Sequence, residues 1–363
     1  MIAPRLELRT TPSRALAFLV PVLSVVSAFV VAGLVLYAAG ANPLHAYVQM
    51  MLGAFGSVHN VAEVLVKATP LMLTGLGVMV AFRVGFWNIG AEGQLYMGAF
   101  AATLAVLQGW ELPGVGFLPT MALAAAAAGG LWALLPAVLK LRLHTNEILT
   151  TLLLNYVAIL FVAYFLYGPW KDPLTLNFPM TKRFPDAAQL PRFFDTRLHW
   201  GFVLAVVLAV CFYILIERTR WGFAITVVGE NPRAAAYAGI DVLRTVLIAA
   251  VISGGLAGLA GMVEVAGIQL RLVHGISPPN APYGYTAIIV AWLARRRPLG
   301  VVVVAALLGA LYVGGEALQI GMKVPTAIVL VVQAMILLFI LGGQVLSRYR
   351  VVLRREERAD VTV

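Results

Sequence analysis

Long apolar stretches separated by polar connections run the length of the chain, at about 15–39, 61–82, 86–108, 115–138, 147–168, 199–216, 244–264, 283–294, 299–318 and 324–343. A helix needs about 20 apolar residues to cross a hydrocarbon core. The pattern therefore predicts an all-α, polytopic transmembrane bundle of about ten spans, with the eighth run short. Composition agrees: 61% of the 363 residues are hydrophobic and 12% charged, more apolar surface than a soluble domain of this size can bury. The first run follows Arg5, Arg9 and Arg14 like a secretory signal. Its length of about 25 residues exceeds a signal core, so it counts as a span.

Charge orients the bundle. With the N-terminus inside, Arg83, Lys140, Arg142, Arg218, Arg220, Arg233, Arg244, Arg295, Arg296, Arg297 and the basic stretch from Arg348 to Arg358 fall on the cytoplasmic side. That accumulation supports an even number of spans with both termini cytoplasmic. Residues 1–346 then form one transmembrane domain and 347–363 a basic cytoplasmic tail. The net charge of +10 reflects topology and calls for no nucleic acid. Cys211, alone in an apolar run, fits a packing role.

Two connections are long. The proline-rich stretch at 169–198 lies outside in this topology and reads as an ordered cap or docking surface. The stretch at 217–243 is cytoplasmic and carries its own helix signal, with Asn231 as N-cap, Pro232 at the first helical position and Gly239 as the stop. Gly40-Ala41-Asn42-Pro43 repeats the G-x-N-P form of Gly229-Glu230-Asn231-Pro232. If the echo marks a repeat, the two five-span halves are inverted, as is common in transporters. It aligns the third run with the eighth. The third opens on Gly85-Phe86-Trp87-Asn88-Ile89-Gly90-Ala91-Glu92-Gly93-Gln94 and the eighth follows His274-Gly275-Ile276-Ser277-Pro278-Pro279-Asn280-Ala281-Pro282. Paired interruptions of this kind point to a translocation site.

Irregular backbone at membrane depth survives only against protein or a watery cavity. Asn88 and Glu92, four apart, can cap the third run and sit at its positive end, or line the inner part of a substrate path together with Gln94. Asn155, with Thr150 and Thr151 on the same stretch, can line a pore or bond between helices, and Glu147 reads as a cap. Trp87, Asn280 and Tyr283 complete the candidate path, and Phe86 and Tyr285 add rings able to stack on a base. Glu63 and Lys67 have salt-bridge spacing. Gly254 and Gly258 mark a closely packed helix. The five histidines lack metal-pair spacing, so no metal is expected, and no nucleophile elbow or phosphate-binding loop is present. An enzyme is not indicated, and any nucleotide energy must come from another chain.

Several segments in order resemble one family: Ala68-Thr69-Pro70-Leu71 through Gly75-Leu76-Gly77 to the decapeptide, then 146–156, 227–240, 253–261 and 283–300. The resemblance, over about residues 40–320, is to permease subunits of bacterial ABC importers of the branched-chain amino acid and ribose superfamily, nearest its nucleoside or simple-sugar branch. Trp292 and Ala294 depart from that pattern. The resemblance implies a multi-pass inner-membrane subunit that pairs with a second permease as a heterodimer, binds a cytoplasmic ATPase carrying ATP and Mg, receives a nucleoside-like solute from an extracytoplasmic binding protein, and has no cofactor of its own. It implies that Gly229, Glu230, Asn231, Ala234, Ala235 and Gly239 form the ATPase coupling segment. The competing readings are a simple-sugar ABC permease, an ion-coupled secondary transporter, and a membrane-bound enzyme or scaffold.

Overall fold

The computed structural model describes residues 2–8, 14–108, 116–176, 178–193 and 195–355. The chain is helical: α1 (Arg14–Ala38), α2 (Pro43–Phe55), α3 (Val58–Arg83), α4 (Ala91–Leu107), α5 (Phe117–Leu143), α6 (Glu147–Tyr167), α7 (Trp200–Arg218), α8 (Arg220–Glu230), α9 (Pro232–Tyr237), α10 (Val242–Val263), α11 (Tyr283–Leu293), α12 (Pro298–Met322) and α13 (Thr326–Arg348). A short ribbon adds β1 (Ile2–Leu8), antiparallel to β2 (Tyr349–Arg355), with Ile2 opposite Arg355. β2 takes up the first part of the expected basic tail; residues 356–363 lie outside the described residues.

Every apolar run contains a helix, but ten crossing helices are not reproduced. Among the described residues seven helices are long and apolar enough to span alone, or eight if α1 and α2, bent by 113° at their junction, count as one. α4 has 17 residues because irregular chain replaces the first part of the third run, and α11 has 11, matching the short eighth run.

The chain forms two compact units, residues 1–56 with 311–363, and residues 57–310. In the first, Ala28, Ala32 and Leu36 of α1 present small and large side chains on one face, where they join Ala46, Met50, Leu318, Val329, Val332 and Ile336 in a core. Asn42 caps α2 by accepting from the nitrogens of Leu44 and His45, with Pro43 in the first turn.

In the second unit α10 packs against α5, α4 and α3. Glycine makes this possible. A Cβ on Gly98 would fall 2.3 Å from the Gly258 backbone, and one on Gly254 would fall 2.2 Å from the Gly129 carbonyl oxygen. The small-residue stripe of α10 thus allows near backbone contact on two sides, as its spacing predicts. α3 is apolar all round and buried over most of its length from Ala62 to Phe82, the position of a helix with no lipid-facing side.

α6 and α7 are the opposite case. Each buries one stripe, Thr151, Asn155, Ala158, Val162 and Leu166 on α6, and Gly201, Ala205, Ala209, Phe212 and Ile216 on α7. Apolar side chains such as Leu153, Leu160, Val207 and Ile214 point outward, as a lipid-facing surface requires. Cys211 lies on this exposed side, not in the packed interior expected of it. Its neighbours in sequence supply the packing stripe instead.

Candidate functional site

α3 stops at Arg83, and the chain turns through Gly85 at φ +78, a left-handed conformation that glycine adopts without steric cost. It runs irregularly to Gly90 before α4 begins. Such a segment must find partners for its backbone groups inside the protein. The nitrogen of Ile89 donates to Thr151 Oγ1 at 3.2 Å, and the Ile89 carbonyl accepts from Asn155 Nδ2 at 3.0 Å. Asn155 Oδ1 accepts from the Gly93 nitrogen at 2.8 Å. At the start of the break Lys140 Nζ donates to the Gly85 carbonyl at 3.0 Å and pairs with Glu147 at 2.6 Å.

Asn88 and Gln94 complete the arrangement. Their amides bond reciprocally, each N–O distance being 2.9 Å. Asn88 Nδ2 also donates to Ser253 Oγ of α10 at 2.9 Å, and Asn88 Oδ1 accepts from the Gly90 nitrogen at 3.0 Å. Asn88 therefore lies outside the helix and does not cap it. Gly90 occupies the cap position without a side-chain bond. The expected shared face with Glu92 is lost because the chain has not yet entered the helix at residue 88.

Glu92, in the first turn of α4, faces the other interrupted run. Its Oε2 accepts from the nitrogen of Gly284, in the first turn of α11, at 2.7 Å. A Cβ on Gly284 would fall 2.1 Å from the Glu92 nitrogen, so the two helix starts meet almost backbone to backbone. Both N-terminal ends carry partial positive charge, and a buried carboxylate at their junction is favoured on that account.

Asn88, Glu92, Gln94 and Asn155 are thus gathered in one network, each with 2% or less of its surface exposed. Asn155 serves as an interhelical bond and reaches Tyr285 Oη at 3.1 Å. Tyr283 is buried at the start of α11. The structure does not bring Trp87 or Asn280 into the network. Trp87 is half-exposed, its ring 4.9 Å from Phe82 and 6.1 Å from Trp292, and Asn280 is exposed in the loop before α11. Ser253 and Gly284 are the participants that sequence reasoning missed. Ser253 belongs to a small-residue run whose visible signal was close packing, and Gly284, between Tyr283 and Tyr285, contributes a backbone nitrogen that residue type does not disclose.

The coupling candidates lie together at the Arg83 end. Asn231 accepts from the nitrogens of Arg233 and Ala234, Pro232 starts α9, and Gly239 at φ +76 turns the chain out of it, as the sequence predicts. Glu230, Asn231, Ala234 and Gly239 are exposed, Tyr237 is 94% exposed, and Ala235 alone in α9 is buried. Gly229 sits against the end of α3: a Cβ there would lie 2.0 Å from the Arg83 carbonyl oxygen.

At the other end of this unit, the described part of 169–198 forms an ordered cap. The nitrogens of Thr181, Phe184 and Leu190 donate to the carbonyls of Leu272, Leu270 and Ala266, beside a π-helical turn at Glu264–Gln269 that ends α10. Arg197 of the cap pairs with Glu63 at 3.2 Å, an ion pair that ties the cap to α3. His199 caps α7, its Nδ1 accepting from the Gly201 nitrogen. Burial, aided by the charges of Arg192 and Arg197, pushes its imidazole down to about 4.

The model for the family described as "Branched-chain amino acid transport system / permease component" matches residues 60–341. The glucose ABC transporter permease protein TsgB13 of Haloferax volcanii is 38% identical, over 98% of this chain and 95% of its own. In Bacillus subtilis, the guanosine ABC transporter permease proteins NupP and NupQ are 34% and 29% identical, over 89% and 78% of this chain and 92% and 91% of theirs. With a predominantly helical fold, spans long enough for a bilayer and a polar junction buried between two interrupted helices, the chain belongs to this family of transport-system permease components, membrane subunits that are not enzymes.

Proposed function

We propose that this chain is one of two permease subunits of an ATP-driven importer and forms half of the path for a nucleoside-like solute. The observation that carries the reading is α9, a capped helix left exposed on a membrane subunit and held to α3 through Gly229. Such a helix is a docking element for a cytoplasmic ATPase, which would carry the ATP and Mg, and Gly229, Glu230, Asn231, Ala234, Ala235 and Gly239 are its residues. The basic groups Arg83, Lys140 and Arg296 lie at the same end as this helix, which supports a cytoplasmic placement of that end; the cytoplasmic placement of both termini rests on the charge pattern of the sequence.

Translocation is conformational. The junction of α4 and α11 supports an inverted five-plus-five repeat, in which both interrupted helices complete their crossings with irregular chain. The Asn-Pro starts of α2 and α9, each cap accepting from two backbone nitrogens, support the same repeat. In the packed state Asn88, Glu92, Gln94 and Asn155 bond to protein. They meet solute when the α4–α11 junction opens, with Trp87, Asn280 and Tyr283 along the approach. A second permease is expected because NupP and NupQ are both named as guanosine permeases of one bacterium, and an extracytoplasmic binding protein would deliver solute to the 169–198 cap.

A sugar is the second reading, favoured by the 38% identity to a glucose permease. A binding assay on the extracytoplasmic binding protein that works with this permease, with guanosine and glucose as ligands, separates the two. For the coupling role, Gly239→Val places a branched side chain at positive φ. It should leave expression normal and uncouple hydrolysis from uptake; full transport by this variant contradicts the assignment.

A further inference from the structure

Arg83 ends α3, where a cation complements the helix dipole. Most side chains at that position extend into water. This one is 19% exposed and turns inward along three bonds. Its Nε donates to Thr226 Oγ1 of α8 at 3.0 Å. Its Nη1 pairs with Glu217 of α7 at 3.2 Å and lies 3.4 Å from the carbonyl oxygen of Arg296, in the turn that follows α11. Thr226 is oriented for its part, because its hydroxyl donates to the Gly222 carbonyl at 2.8 Å and leaves a lone pair toward the guanidinium.

The backbone of the same residue makes a separate contact. The Arg83 carbonyl fills the space a side chain on Gly229 would need, and Gly229 stands two residues before Asn231, the cap of α9. Two residues beyond Arg83, Gly85 begins the irregular segment that leads to Asn88 and Glu92. Arg83 therefore touches the helix that carries α9, the start of the break before α4 and the end of α11, the two elements that meet at Glu92. A guanidinium suits the position because its rigid planar fork fixes several partners at once.

We infer that Arg83 is the positioning residue through which movement of α8 and α9 reaches both interrupted helices. The inference rests on the reading of α9 as the ATPase contact. Without the fork, α8 can move while the end of α11 stays behind. Hydrolysis then continues and the junction at Glu92 opens less often per cycle.

The test uses the complete importer, this chain with its second permease, ATPase and binding protein in liposomes. Solute molecules taken up are counted per ATP hydrolysed. Arg83→Gln should leave assembly and the hydrolysis rate near wild type and lower this ratio about tenfold, with Arg83→Lys recovering part of it. An unchanged ratio in assembled Arg83→Gln complexes overturns the inference. If that variant does not assemble, Thr226→Val, which removes one acceptor, decides by the same ratio: a fall of about two- to threefold supports the link, and no fall overturns it. A cross-link from Tyr237→Cys to the ATPase reports on α9 independently. With the cross-link present and the ratio unchanged, only the role of Arg83 fails; without the cross-link, the docking reading fails and the inference with it.

Discussion

The nitrogen of Gly284 donates to Glu92 Oε2 at 2.7 Å, so the first turn of α11 is held by the first turn of α4. Neither helix is long enough to cross a bilayer alone. Each depends on the other to shield the backbone of its irregular entry.

Gly284→Ala forces a methyl group to within 2.1 Å of the Glu92 nitrogen. The helix starts must separate, at a cost of about 1–3 kcal/mol. Glu92→Gln keeps an acceptor for the Gly284 nitrogen and should be milder than Glu92→Ala, which leaves that donor unpaired at about 1–3 kcal/mol. Unfolding of the purified protein in detergent should rank the alanine variants below Glu92→Gln.

The reciprocal amides of Asn88 and Gln94 should be strongly coupled. Either single change to alanine leaves the other amide without its partner, so the double variant should be less destabilised than the sum, by about 0.5–3 kcal/mol. A double-mutant cycle on unfolding measures this. Additive effects would show that the pair is not a unit.

Gly258 and Gly342 are both helical glycines in very different surroundings. A Cβ on Gly258 would lie 2.1 Å from the Ala125 carbonyl, whereas one on Gly342 meets nothing within 4 Å. Gly258→Ala should therefore lower the unfolding temperature by separating α10 from α5. Gly342→Ala should hold or raise it, through the helix propensity of alanine, worth about 0.5–1 kcal/mol.

These contrasts show what the sequence discloses and what it hides. The α9 cap was legible because Asn231, Pro232 and Gly239 act on their own backbone neighbours, and the close packing of α10 was legible because glycine spacing is local. The short eighth run was visible for the same reason. The partner of Glu92 was not, since a donor on Gly284 lies far along the chain and a backbone nitrogen leaves no trace in residue type. Asn88 misled for a related reason. Asn is a good cap, and only the path of the chain through Gly85 shows that it bonds to Gln94 instead. Hydropathy likewise does not register where a helix is unwound, so the third run gave no sign that α4 starts only at Ala91.

His199 gives the cap a pH dependence. The unfolded imidazole gains its proton below about 6.5 and the folded one only near 4, so in that window the unfolded state holds more protons. Stability should fall as pH drops from 6.5 toward 4 and level off below. Above 6.5 this group contributes no slope. His199→Asn, which preserves a capping acceptor, should flatten the dependence when unfolding is compared at neutral and mildly acidic pH.

The central claim is transport driven by a separate ATPase through this chain. Its most direct measurement is uptake of labelled guanosine and glucose into liposomes holding both permeases and the ATPase, with binding protein on the opposite side. Uptake of one solute that requires ATP and the binding protein, and that stops when α9 carries Gly239→Val while the subunits remain assembled, is the result expected. Uptake that continues without ATP and collapses with an ionophore would contradict it.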